Sequence, residues 1–84
     1  MIRKRILVVD DEERMVRFIR LNLEHDGFEV EEAFDSHEAM NKIRETLPDL
    51  VLLDVMLPNM SGFDICKTAR KSGVQTPIVL LTAK

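Results

Sequence analysis

The sequence predicts an α/β domain: an open parallel sheet with helices on both faces. Apolar runs alternate with amphipathic stretches along the whole chain. Two of those runs, Ile6-Leu7-Val8-Val9 and Leu50-Val51-Leu52-Leu53, are apolar without a break, as in strands buried on both faces of a parallel sheet. The connections are short, and strand–helix–strand units of this kind cross over in the right-handed sense.

The first strand covers about Arg5–Val9. A helix follows over about 12–26, with Met15, Ile19 and Leu23 on one face at four-residue spacing and Gly27 suited to the position just past its end. The second strand, 28–33, alternates Phe28 and Val30 with Glu29 and Glu31, so one face is wet or the strand lies at the sheet edge. Asp35-Ser36-His37-Glu38 resembles a capping box opening a second helix, whose apolar residues Met40, Ile43 and Leu47 precede the stop at Pro48. The third strand is Leu50–Asp54. A loop over 55–60 leads to Ser61, which can cap a third helix running to about Ser72 and ending at Gly73. Pro77 introduces the fourth strand, Ile78–Leu81. The order is βαβαβαβ, uninterrupted by any repeat, linker or low-complexity segment.

At 84 residues the chain makes one small domain, 1–84. It buries roughly two-thirds of its unfolded surface and has a thin stability margin. Contents of 45% hydrophobic and 32% charged residues are ordinary for a soluble globular protein. A net charge of -3 gives no electrostatic footprint for nucleic acid, and Arg3-Lys4-Arg5 is too short a basic run to supply one. The lone cysteine, Cys66, excludes an internal disulfide and agrees with a reducing compartment. No apolar run approaches the ~20 residues of a membrane span. The short apolar stretch behind the basic residues also falls below the about 7–15 that a secretory signal needs. The expectation is a cytoplasmic protein with no membrane contact and no direct nucleic-acid binding by this segment.

Chemistry gathers where the strands end. Asp10 and Asp11 directly follow the first strand, and Asp54 closes the third. In an open parallel sheet, ligands bind at the rim formed by the carboxyl ends of the strands. If the two strands are neighbours, three carboxylates converge there with no Lys or Arg near in sequence to pair them. Such a cluster is costly unless a cation occupies it or one acid stays protonated. A hard, oxygen-seeking divalent ion suits it, Mg²⁺ first, or Mn²⁺. Acids after strands also cap helices, which accounts for one of Asp10 and Asp11. It does not account for Asp54, which is followed by Val55-Met56-Leu57-Pro58 rather than by a helix.

In the loop that follows, Pro58 fixes φ, Asn59 tolerates turn geometry, and Gly62 lets the backbone approach closely or turn sharply. Such a loop can aim a backbone carbonyl into the acidic pocket, or it can be an ordinary turn. Thr82 ends the fourth strand on the same rim, where its hydroxyl could donate to a phosphoryl oxygen, although Thr is also a common strand residue. His25 and His37 fall on exposed helix positions and suggest no metal role. Cys66 reads as a small core residue, because no basic or histidine partner attends it.

The segments ILVVDDE at 6–12, LVLLDVMLPNMSG at 50–62 and PIVLLTA at 77–83 resemble, in order and spacing, the receiver domain of two-component response regulators. The resemblance implies a flavodoxin-like, doubly wound sheet of strand order 2-1-3-4-5 in the complete domain and 2-1-3-4 here. It implies that Asp54 takes a phosphoryl group from a histidine kinase. Asp11 then ligates Mg²⁺ directly, Asp10 assists, and Met56 lends its backbone carbonyl. Thr82 resembles the switch hydroxyl and Ala83 the small residue that leaves it room, while Pro58 and Gly62 support the loop.

The family's domain continues with a fourth helix, a fifth strand bearing a lysine at its end, and a fifth helix. Lys84 lies two places past Thr82 and does not match that lysine. The expectation is therefore a truncated receiver module with impaired transfer, a phosphoacceptor rather than an enzyme. Two other functions compete with it. An aspartyl phosphohydrolase needs a second acid two residues past its nucleophile, where this chain has Met56. A structural or engineered fragment could instead self-associate through the fourth strand, which is apolar on both faces and flanked only by Pro77 and Lys84.

Overall fold

A computed structural model of the protein describes residues 3–81. Strands and helices alternate as β1 (Arg5–Val9), α1 (Glu13–His25), β2 (Glu29–Ala33), α2 (Ser36–Thr46), β3 (Leu50–Asp54), α3 (Gly62–Lys71) and β4 (Ile78–Leu81). All strands run parallel in one sheet of order β2-β1-β3-β4, the flavodoxin-like arrangement expected from the sequence. The unbroken apolar run of β1 takes a central place, and the glutamate-bearing β2 takes an edge.

Side chains alternate across the sheet, so each strand serves two cores. Leu7, Val9, Val51 and Leu53 point to one side and pack with Ala39, Met40 and Ile43 of α2 and Ile65 of α3. Ile6, Val8 and Val30 point to the other side and meet Val16 of α1. The centre of the α1 face is thus Val16, fully buried, with Ile19 and Leu23 packed beside it. The expected Met15 is only half-buried. Positions 15 and 16 are both apolar, so a four-residue spacing leaves the phase open; the run 16, 19, 23 follows the 3.6-residue period more closely.

A second departure is Leu47. It is not part of the α2 face but the C-cap, with φ of 46°, and is 66% exposed. The following Pro48 disfavours helical geometry at this position, and the resulting turn carries the side chain off the packed face. Ser36 and Ala39 are buried with Met40 and Ile43 instead. Cys66 is half-buried and outside both cores.

Helix ends follow local chemistry. Asp35 accepts from the Glu38 N–H at the start of α2, and Ser61 accepts from the Asp64 N–H at the start of α3. Past α1, Gly27 at φ of 96° donates to the Glu24 carbonyl, and Phe28 donates to the Leu23 carbonyl. That bond pair closes the helix and packs Phe28 near Leu23. Among the described residues, no helix is long and apolar enough to cross a membrane.

Candidate functional site

β1 and β3 are neighbours with Val9 level with Leu53, so the next residues, Asp10 and Asp54, come side by side at the carboxyl rim. Asp11 follows on the short link into α1. Carboxylate oxygens of Asp10, Asp11 and Asp54 all lie within 4.8 Å of one another, with Asp10 and Asp54 half-buried and Asp11 exposed. The strand-end acids are each tied to the chain two residues on. Glu12 N–H donates to Asp10 Oδ1 at 2.9 Å, and Met56 N–H donates to Asp54 Oδ1 at 3.1 Å. Such side-chain turns start the loops and fix the carboxylates in place.

None of the ion pairs among the described residues involves these acids. Burial pushes the Asp10 carboxyl above its ordinary value; the Glu12 N–H holds it down, while Asp54 and Asp11 push it up again. Three carboxylates without a counter-charge suit a hard divalent cation. Asp10, Asp11 and Asp54 are the residues that would hold such an ion, and Mg²⁺ is the hard cation that carboxylate oxygens suit.

The loop over 55–61 brings α3 directly against this rim. Gly62 N–H donates to the Val55 carbonyl at 2.8 Å. A Cβ on Gly62 would stand 2.6 Å from the Asp54 carbonyl oxygen and 2.9 Å from Val55 Cα, so only glycine fits. Asn59 takes the left-handed region at φ of 74°, and Met60 N–H reaches back to the Pro58 carbonyl at 2.9 Å.

Buried Ser36 donates to the same Pro58 carbonyl at 3.4 Å, tying the loop to α2. The sequence reading missed this role, because a serine at a helix start looks like part of the cap and nothing in it signals a distant loop. The Met56 side chain is 66% exposed, so its place in the site rests on its backbone. His25 and His37 are exposed, and neither joins the cluster of ligand atoms that Asp10, Asp11 and Asp54 form. Thr82 and Ala83 lie outside the described residues.

Residues 6–84 match the response regulator receiver domain family. The chain is 48% identical over 81 residues to the alkaline phosphatase synthesis transcriptional regulatory protein PhoP of Bacillus subtilis, covering 96% of this chain and 34% of that relative. It is 48% identical over 83 residues to the DNA-binding response regulator MtrA of Mycolicibacterium smegmatis, covering 98% and 36%. The chain therefore spans about a third of the length of these curated relatives.

Among solved structures, the Francisella response regulator 1452 receiver domain superposes with a TM-score of 0.92 at 32% identity, covering 95% of this chain and 66% of that one. The response regulator TrrA of Thermotoga maritima, in complex with Mg²⁺-BeF, superposes with a TM-score of 0.89 at 38% identity, covering 96% and 70%.

Proposed function

This chain belongs to the response regulator receiver domain family, and from that premise we propose that it accepts a phosphoryl group from a histidine kinase on Asp54, beside a bound Mg²⁺. The observation that carries the reading is the meeting of Asp10, Asp11 and Asp54 oxygens within 4.8 Å at the ends of adjacent strands. The Mg²⁺-BeF complex of the Thermotoga relative supports the choice of metal.

In the transfer, a carboxylate oxygen of Asp54 attacks phosphorus in line. The O–P bond forms as the P–N bond to the donor imidazole breaks, and the electron pair leaves on that nitrogen. The bond from Met56 N–H holds the Asp54 carboxylate in one orientation for attack. Asp11 and Asp10 would hold the ion, with the Met56 carbonyl as a further ligand. When bound, Mg²⁺ offsets the charge shared by the carboxylates and the phosphoryl oxygens. Pro58, Asn59 and Gly62 keep the loop rigid beneath the site. The switch role that the family resemblance gives Thr82, and the small neighbour Ala83, fall outside the described residues.

Among the described residues no Lys or Arg forms an ion pair with the cluster. Incubation with acetyl phosphate and Mg²⁺, followed by intact mass, should show a phosphoryl addition that grows over a long time course and vanishes when the metal is chelated. Labelling indifferent to chelation, or no labelling at all, contradicts the reading.

A further inference from the structure

The loop over 55–61 contains a turn that its own residues do not favour. Met60 N–H donates to the Pro58 carbonyl, two residues back, and Asn59 between them stands at φ of 74°. A three-residue turn closed this way, with a positive φ at its centre, is the rare and strained kind. Asn tolerates that region better than most residues, but only glycine enters it freely. Backbone so placed persists where its surroundings hold it.

The base of the loop is pinned by the bond from Gly62 N–H to the Val55 carbonyl at 2.8 Å. Leu57 and Met60 lie against the core, but apolar contact is non-directional and does not aim a carbonyl. The polar hold on the tip comes from α2. Ser36, in its first turn, donates its hydroxyl to the Pro58 carbonyl at 3.4 Å. Ser36 is 5% exposed, so its hydroxyl needs a partner inside the protein.

A serine within a helix can return its hydroxyl to the carbonyl four residues back. For Ser36 that carbonyl belongs to Glu32 of β2, and Lys42 Nζ already takes it at 2.7 Å. Among the described residues the Pro58 carbonyl is the one partner of the Ser36 hydroxyl. Beside this contact a groove of about 480 Å³ opens, lined by Met40 and Arg44 of α2 and by Asn59, Met60 and Thr68 opposite. The strained turn therefore has space to relax into once it is released.

We propose that Ser36 is a positioning residue for the Asp54 site: its hydroxyl braces the turn over 58–60 from α2 and so fixes the loop that carries Met56. Met56 stands two residues before Pro58. Its N–H orients the Asp54 carboxylate at 3.1 Å, and its carbonyl faces the task of a metal ligand in the proposed function. A turn that swings into the groove draws on that segment first. What the brace does for metal binding and transfer rests on Asp54 being the phosphoacceptor; the brace itself belongs to the metal-free chain.

Ser36→Ala removes the hydroxyl and keeps a good helix former in place, so its circular dichroism should match the parent's. In the metal-free chain, amide exchange followed by NMR should be about two- to tenfold faster at Met56 in Ser36→Ala, the factor that one ordinary hydrogen bond carries. Mg²⁺ affinity, read from the shifts of the same amides with both chains fully folded, should fall by a similar factor. Ile43→Val loosens the packing of α2 without touching the brace, and should leave both readouts at the parent's values. Met56 exchange or Mg²⁺ affinity unchanged in Ser36→Ala, or moved as far by Ile43→Val, overturns the proposal. A parent chain that binds no Mg²⁺ refutes the metal site instead, and Met56 exchange then decides the brace alone.

Discussion

Asp10 has a carboxyl that the fold makes harder to ionise. Its carboxyl is pushed above 3.8 by burial first, and by the charges of Asp54 and Asp11, against the pull of the Glu12 N–H. A carboxyl with a raised folded value adds its full stability below the ordinary value and loses it as pH rises through the raised one. Between those values the metal-free chain should lose stability as pH rises. Asp10→Asn should remove that slope and stabilise the neutral, metal-free chain by about 0.5–1 kcal/mol, the order expected for like charges some 4 Å apart in water. Thermal melts across the acidic range check this, and added Mg²⁺ should cancel the gain. Gly62 tests the other side of the site. In Gly62→Ala the new methyl meets main-chain atoms of Asp54 and Val55 that cannot swing aside, a cost of about 1–3 kcal/mol. Mg²⁺ affinity should fall with it, because the displaced carbonyl belongs to Asp54. Gly27→Ala meets nothing within 4 Å but keeps φ of 96°; its cost, about 1–2 kcal/mol, should leave the Mg²⁺ response intact. Denaturant curves with Mg²⁺ titrations on both variants separate the two causes. The acids and Gly62 were legible because strand ends and a tight turn dictate those residue types. The Ser36–Pro58 bond was not, because it joins residues far apart in sequence.

Among the elements, α2 shows how local signals both inform and mislead. Asp35 caps the Glu38 N–H at 2.8 Å as its position suggests, while the Glu38 carboxylate accepts from Phe34 N–H at 2.9 Å rather than from the N–H of the cap residue. Asp35→Ala should cost about 0.5–2 kcal/mol in chemical denaturation, and a variant as stable as the parent contradicts the capping role. Strand limits and caps were readable because each depends on a few adjacent residues. Helix phase was harder to read. Val16 displaces Met15 from the centre of α1, and Leu47 leaves the face of α2, because contact with the sheet and the approach to Pro48 decide between apolar residues that spacing alone cannot rank.

At the scale of the whole molecule, the alternation of elements marked a parallel sheet, but the site depended on a condition that composition and spacing left open: β1 and β3 had to be neighbours. The likeness to receiver domains implied that order, and the sheet has it, so residues 44 positions apart in the chain form one acidic rim. The proposed role of this rim is to make Asp54 the phosphoacceptor. Its most direct test is peptide mapping of the chain after prolonged incubation with acetyl phosphate and Mg²⁺. The label should fall on Asp54 and be absent from Asp54→Asn, in which the fold and the remaining acids are kept. A label that persists in Asp54→Asn, or that maps to another residue of the parent chain, contradicts it.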